Sequence, residues 1–358
     1  MIQIDGSYLE GGGQIVRTAL ALSTLTGKPF RITDIRKKRP KPGLKAQHLS
    51  CIEALRQLCN AQCDASLGDT EITYIPGKIR SGTINIDIGT AGSITLLLQS
   101  VLLPCCFAGK RIRLTIRGGT DVAWSMPVDY FRHVVLPFYQ RFADIDFRVM
   151  ERGFYPKGGG LVEIKIKPGS DIDSYSDFSE FRQALKGTAF DLEERGRLVK
   201  IKGISVASKD LLDSQVAERQ ARNAEQLLKR YEVPVSVQTQ YAKSLSPGSV
   251  ISLWAVFSRS EDDADPVQTH AVGSDCLGAP GKRSESVAKE AADKLIACIG
   301  SGDSLDEHSL DNIIPLMALC GGTASSFKIS DHTKTNIYTA ERFIDCRFSI
   351  DGNIVKVI

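Results

Sequence analysis

The chain has 358 residues, 42% of them hydrophobic and 24% charged, with a formal net charge of +3 at neutral pH. That length allows two domains and a substantial core, the composition is that of an ordinary soluble globular protein, and the small net charge gives no general nucleic-acid signal. The longest apolar run, Leu96 to Ala108, is interrupted by Gln99, Ser100 and Pro104 and is too short for a membrane span. Nine cysteines lack CxxC spacing, which favours reduced thiols used as small core residues in a cytoplasmic protein over a zinc site.

Met1 to Asp5 alternates as a short strand, so no signal peptide is expected. It leads into Asp5-Gly6-Ser7-Tyr8-Leu9-Glu10-Gly11-Gly12-Gly13-Gln14-Ile15-Val16-Arg17, which leaves as an apolar helix. A glycine run at a strand-to-helix junction permits positive φ and close approach of a ligand to main-chain N–H groups, and the helix N-terminus favours phosphate. Glu10 could hold a hard cation there, and Arg17 could fork onto phosphate oxygens. Further on, Arg36-Lys37-Lys38-Arg39-Pro40-Lys41 reads as a solvated loop or a phosphate track.

Residues 13–36 and 92–117 share a pattern. Both begin at Gly, carry an apolar helix, stop at Gly-Lys (Gly27-Lys28, Gly109-Lys110) and enter an alternating strand, the glycines serving as C-caps. A second helix follows in each, over 44–59 and 128–142. Closing strands are expected at 72–75 with 83–88, and at 147–150 with 160–166. A third copy is expected at the C-terminus, with a helix tail at 310–319, a strand at 326–330, a helix at 335–343, and strands at 347–350 and 354–358 joined by an Asp351-Gly352-Asn353 turn. The interposed stretch carries strands at 199–204 and 250–257, a charged amphipathic helix at 217–231 and an acidic loop over 258–266. The expected fold is therefore α/β (α+β): three βαβαββ units forming a large domain over 1–184 and 281–358, with a smaller α/β domain, 185–280, inserted in the third unit.

In a three-fold arrangement the loops after matched strands converge, bringing together Arg36–Lys41, Gly118-Gly119-Thr120-Asp121 and Asp331-His332. A histidine nucleophile needs one nitrogen free and the other oriented, and Asp331, Thr335 and Asn336 surround His332 in sequence. Attack on an α-phosphorus would give a phosphoramidate, with Glu10 holding a divalent cation and arginines stabilising the developing charge. Lys157-Gly158-Gly159-Gly160 reads as a hairpin loop, and Gly278 to Arg283 lacks P-loop spacing.

Six ordered blocks carry a resemblance: Gly6 to Arg17, Arg39 to Leu49, Gly89 to Ser93 with Gln99, Arg117 to Asp121, Arg152 to Gly160, and His332 to Phe343. Together they resemble the RNA 3′-terminal phosphate cyclase family over nearly the whole chain, most weakly across 170–300. The resemblance implies three βαβαββ units with an insertion, and ATP-dependent conversion of an RNA 3′-terminal phosphate to a 2′,3′-cyclic phosphate through an adenylylated histidine. It assigns the adenylylated residue to His332 and the ligand of a divalent cation (Mg or Mn) to Glu10. Phosphate contacts fall on Arg17 and Arg39, and RNA or phosphate contacts on Lys41, Gln47 and His48. ATP contacts fall on Gln99, Pro127, His308, Ser309, Leu310, Asp311 and Asn312, with His308 where a family member would carry an adenine-stacking tyrosine. The implied partner is RNA with a 3′-terminal phosphate, with no membrane and no protein partner. Two alternatives share the fold: a non-catalytic ribosome-assembly relative, which would lose the histidine, and an enolpyruvyl-type transferase, which needs other acids and bases.

Overall fold

The computed structural model describes residues 1–260 and 269–358, so residues 261–266 of the expected acidic loop lie outside the described residues. Strand β1 (Ile2–Asp5) buries Ile4 and leads through the glycine turn into α1 (Gln14–Thr26), whose residues Gln14 to Leu25 are all buried. Gly27 closes α1 in the left-handed conformation at φ 70°, as the Gly-Lys stop predicts. Then come β2 (Phe30–Thr33), α2 (Ala46–Cys59) and β3 (Ile72–Tyr74); β1 runs parallel to β2, and β3 antiparallel to it.

The next stretch holds β4 (Gly82–Asp87), α3 (Ile94–Cys105), β5 (Ile112–Gly118), α4 (Val128–Tyr130), a π-helical turn Phe131–Val135, α5 (Leu136–Gln140), β6 (Ala143–Glu151) and β7 (Gly160–Pro168), in a sheet ordered β4-β5-β7-β6. Two expectations are corrected here. β4, expected to close the first unit, ladders in parallel with β5 and opens the second sheet, because Ile84 and Ile86 fall in register with Leu114 and Ile116. The remaining strand position of the first sheet is reduced to one bridge, Gln62 to Ile75. Gly109 does not cap α3, which stops at Cys105 just after Pro104, a residue that cannot continue the helical ladder.

After α6 (Phe178–Leu185) and β8 (Phe190–Leu192) come β9 (Arg197–Ser208), α7 (Val216–Leu228), β10 (Val235–Ala242), β11 (Ser249–Ser258), β12 (Thr269–Leu277) and α8 (Ser284–Ser301). The chain ends with α9 (Glu307–Cys320), β13 (Gly322–Ser325), α10 (Asp331–Phe343), β14 (Phe348–Asp351) and β15 (Ile354–Val357). β8 pairs in parallel with β13, giving the order β8-β13-β15-β14, the same path as β4-β5-β7-β6. The strand expected at 326–330 lies four residues earlier, since β13 finds partners in β8 and β15 only as far as Ser325. Ser330 instead caps α10, accepting from the Thr333 N–H at 2.9 Å.

Strands β10-β9-β11-β12 form their own sheet, and Ile201, Leu253, Phe257, Val272, Ala288 and Leu295 build an apolar cluster separate from the main core. β8 falls inside the span 185–280 yet ladders with β13, while α8 falls outside it yet packs on β12 and α7. The main core gathers the other three sheets around α1, α3, α9 and α10, which pack on one another and carry the polar residues described next.

Candidate active site

The glycine turn is held from both sides. Asp5 accepts the Ser7 N–H at 2.8 Å, and Gly11 takes φ 59°, a conformation costly for any side chain with a Cβ. Gly13 precedes α1 with no side-chain cap, leaving the first-turn N–H groups as donors for an anion. A Cβ on Gly13 would collide with His48 Nε2 and lie 3.1 Å from Arg17 Nη1, so the turn sits directly on two nitrogen-bearing side chains. Tyr8 stacks on Tyr338 of α10 with ring centroids 4.1 Å apart, and the Tyr338 hydroxyl accepts from the Asp5 N–H at 3.1 Å. The turn is thereby clamped onto α10.

His332 occupies the first turn of α10, not a loop, with about half its side chain exposed. Its Nε2 lies 3.1 Å from Glu10 Oε1, and the other oxygen of Glu10 pairs with Arg39 Nη2 at 2.8 Å. Loss of water holds the imidazole below its ordinary pKa; Glu10 opposes that shift, while Arg17, His308 and Arg39 add to it. Burial thus favours the neutral imidazole, which keeps a lone pair on one of its two nitrogens.

Beneath the turn, Arg17 is buried and its pKa is lowered to about 10 by burial, which leaves it charged. Its Nε donates to Gln99 Oε1 at 2.7 Å, and Gln99 Nε2 donates to Asn312 Oδ1 at 3.1 Å. Asn312 in turn donates to the His308 carbonyl at 2.7 Å. Three helices, α1, α3 and α9, are thus joined by one polar chain. A second set fixes α10: Gln14 donates to Thr335, Thr18 to Asn336 at 2.7 Å, and Asn336 to the Asp311 carbonyl at 2.7 Å.

The other expected site residues divide. Arg39, Lys41 and Lys38 lie on the basic loop, with Lys41 exposed and Lys38 Nζ on the Leu9 carbonyl at 2.8 Å. Gln47 reaches the Ser93 carbonyl at 2.9 Å. His48 is buried; its Nδ1 accepts from the Lys45 N–H at 2.9 Å, and burial with nearby Arg17, Arg36 and Lys45 drives its pKa down to about 3. Pro127 is buried at the start of α4. Within 308–312, His308 is exposed and meets Tyr130 edge-on at 6.1 Å, whereas Ser309 and Leu310 are buried. Asp311 accepts from Ser330 at 2.7 Å and Thr333 at 2.6 Å, and burial raises its pKa to about 6. Its carboxylate thus ties α9 to the start of α10.

A divalent cation fits one position. Glu10 Oε1 is buried and receives no aligned hydrogen bond, the His332 contact being close but poorly directed. Among the described residues no cluster of three His, Cys, Asp or Glu could hold a metal, so any ion here would take its remaining ligands from a polyphosphate and water.

Sequence reasoning missed the cluster in which Arg152 Nη1 lies 2.7 Å from Asp129 and 3.3 Å from Asp121, all three side chains buried. Arg152, just after β6, also donates to Gln240 of β10 at 3.1 Å, joining the β4-β5-β7-β6 sheet to the β10-β9-β11-β12 sheet. Its signal was the charged ends of the Arg117–Asp121 and Arg152–Gly160 blocks. Gln14 was also missed, although it directly follows the three glycines.

A family model described as RNA 3′-terminal phosphate cyclase matches residues 8–350. The RNA 3′-terminal phosphate cyclase of Pyrococcus abyssi is 41% identical over 358 residues, covering 99% of this chain and 97% of its own. That of Methanosarcina barkeri is 42% identical, covering 98% and 97%, and that of Archaeoglobus fulgidus 39% identical over the full length of both. With an aligned core running from the glycine turn to the closing strands, the chain belongs to the RNA 3′-terminal phosphate cyclase family.

Proposed function

We propose that this chain uses ATP to convert an RNA 3′-terminal phosphate into a 2′,3′-cyclic phosphodiester. The observation that carries the reading is the 3.1 Å approach of His332 Nε2 to Glu10 beside the uncapped start of α1, with Arg17 and Arg39 in attendance. His332 Nε2 attacks the α-phosphorus of ATP, forming a phosphoramidate as diphosphate leaves. The RNA 3′-phosphate then takes the AMP from His332, and the neighbouring ribose 2′-hydroxyl attacks the activated phosphate, closing the ring and releasing AMP. Arg17 and Arg39 stabilise charge on the transferring phosphoryl group, and the α1 N–H groups hold the polyphosphate. Glu10 would hold a divalent cation, Mg or Mn, which when bound neutralises phosphate charge. Gln99 and Asn312 fix Arg17, and Pro127 with His308 bounds the adenine side.

The basic loop receives the RNA mainly through phosphates, so affinity falls with salt. We place the reaction in the cytoplasm, supported by nine free and buried thiols; no helix among the described residues is long and apolar enough to cross a membrane. A non-catalytic assembly role is not favoured, since His332, Glu10, Arg17 and Arg39 are retained together. The test is incubation with α-labelled ATP and magnesium or manganese. Acid-labile, alkali-resistant label on the parent chain and none on His332→Ala is the expected result; label that persists in the variant would overturn the site, and none in the parent would overturn the activity.

A further inference from the structure

Trp124 is 97% exposed and takes φ 67°, the left-handed region that a bulky residue enters only at a cost. An indole left in water and a backbone held in a disfavoured well return nothing to the fold itself, and such outliers concentrate at functional sites. The chain's other tryptophan, Trp254, follows the usual pattern: it is buried and stacked on His133 at 4.3 Å.

The loop that presents Trp124 is tied down by hydrogen bonds. On its near side the Thr120 N–H donates to the Gly153 carbonyl at 2.9 Å, and Asp121 pairs with buried Arg152. Across its base the Val128 N–H donates to the Thr120 carbonyl at 3.1 Å, and within it Ser125 donates to the Val122 carbonyl at 3.0 Å. Val122 and Met126 are buried on either side of the exposed pair Ala123 and Trp124.

The same loop is fastened to the candidate site. Thr95 of α3 donates to the Met126 carbonyl at 2.8 Å, and Asn312 of α9 places its amide nitrogen 3.5 Å from the Met126 sulfur. Asn312 is the residue that receives Gln99, which holds Arg17. Trp124 therefore stands two residues from the end of the polar chain that leads to the glycine turn. Its neighbours beyond Met126 are Pro127 and Tyr130, and Tyr130 meets the exposed His308.

We propose that Trp124 is a stacking platform for a nucleobase at the mouth of the site. This rests on the reading of the site as one that binds ATP and RNA. A flat, exposed, pre-positioned indole suits the π-face that every base offers, tolerates sequence, and loses little freedom on binding. The base could be supplied by the nucleotide or by the end of the RNA, which share this chemistry.

The experiment is tryptophan fluorescence, with Trp254 as a buried constant background. The full chain is titrated with an oligoribonucleotide bearing a 3′-phosphate, with a non-hydrolysable ATP analogue, and with an abasic oligonucleotide of equal charge. Binding of each is followed independently by calorimetry. Saturable quenching by a base-bearing ligand and not by the abasic one is expected. Trp124→Ala should weaken that ligand about 5- to 150-fold, with Trp124→Phe recovering much of it and the abasic ligand unaffected. Quenching by the ATP analogue alone assigns the platform to adenine, and quenching by the RNA alone assigns it to an RNA base. Tight binding of both ligands without quenching, or equal affinities for parent and Trp124→Ala, overturns the platform and leaves the cyclase reading intact. A parent chain that binds neither ligand overturns that reading, and the platform with it.

Discussion

Glu10 Oε1 and His332 Nε2 meet at 3.1 Å, although one belongs to the first loop of the chain and the other to its last helix. The pairing is possible because Tyr8 stacks on Tyr338, six residues along the same helix, and draws the glycine turn against α10. Glu10 thereby faces both His332 and Arg39.

Replacing Glu10 by Gln keeps the shape and removes the charge. Histidine labelling by α-labelled ATP should fall on the order of 100-fold at low magnesium and recover in part as the metal is raised. An identical metal dependence in the variant and the parent would show that Glu10 holds no cation.

Gln99 links Arg17 to Asn312, so Gln99→Leu leaves a buried guanidinium without its fixed acceptor. About a tenfold higher ATP concentration for half-maximal labelling is expected, the scale of one hydrogen bond to a charged group. The measurement is a labelling isotherm, and a curve superimposable on that of the parent would separate Gln99 from nucleotide binding.

His48 makes the fold sensitive to acid. Its pKa is about 3 when buried against an ordinary 6.5, so the unfolded chain binds the proton more readily. The stability this represents is fully present above pH 6.5 and is lost as pH falls towards 3, about 3 to 5 kcal/mol across that window. Urea unfolding followed against pH should show this limb, and His48→Gln should make it shallower, with His133 and His270, both lowered to about 4 by burial, supplying the rest. A limb of unchanged slope in the variant would assign the acid sensitivity to other groups.

Arg152 pairs with two buried carboxylates, Asp121 and Asp129. Arg152→Met strands both and should cost about 3 to 5 kcal/mol of stability in chemical unfolding, whereas Arg152→Met with Asp121→Asn and Asp129→Asn should recover much of the loss. A single variant as stable as the parent would contradict this account.

Much of the site was legible because its residues announce themselves locally. Three glycines beside Glu10, and a histidine followed by Thr335 and Asn336, require particular backbone and side-chain chemistry wherever they sit. What stayed hidden depends on distant partners. The short alternating segment at 82–87 fits the edge of either of two sheets, and only register with β5 decides. The hydrogen bonds to Asp311 from Ser330 and Thr333 come from residues 19 and 22 positions away and leave no local signal. The strand near 326 reads well by alternation, yet pairing with β8 shifts it upstream.

The parallel pairing of β8 with β13 has a bearing on how the molecule is made. These two short strands are adjacent in space but separated in sequence by an entire sheet with its own helices, so their ladder can close only once that intervening chain has been made. Helix α10, which bears His332, is the next element after β13. A nascent or truncated chain that stops short of this closure would carry the glycine turn and Arg17 without His332 beside them.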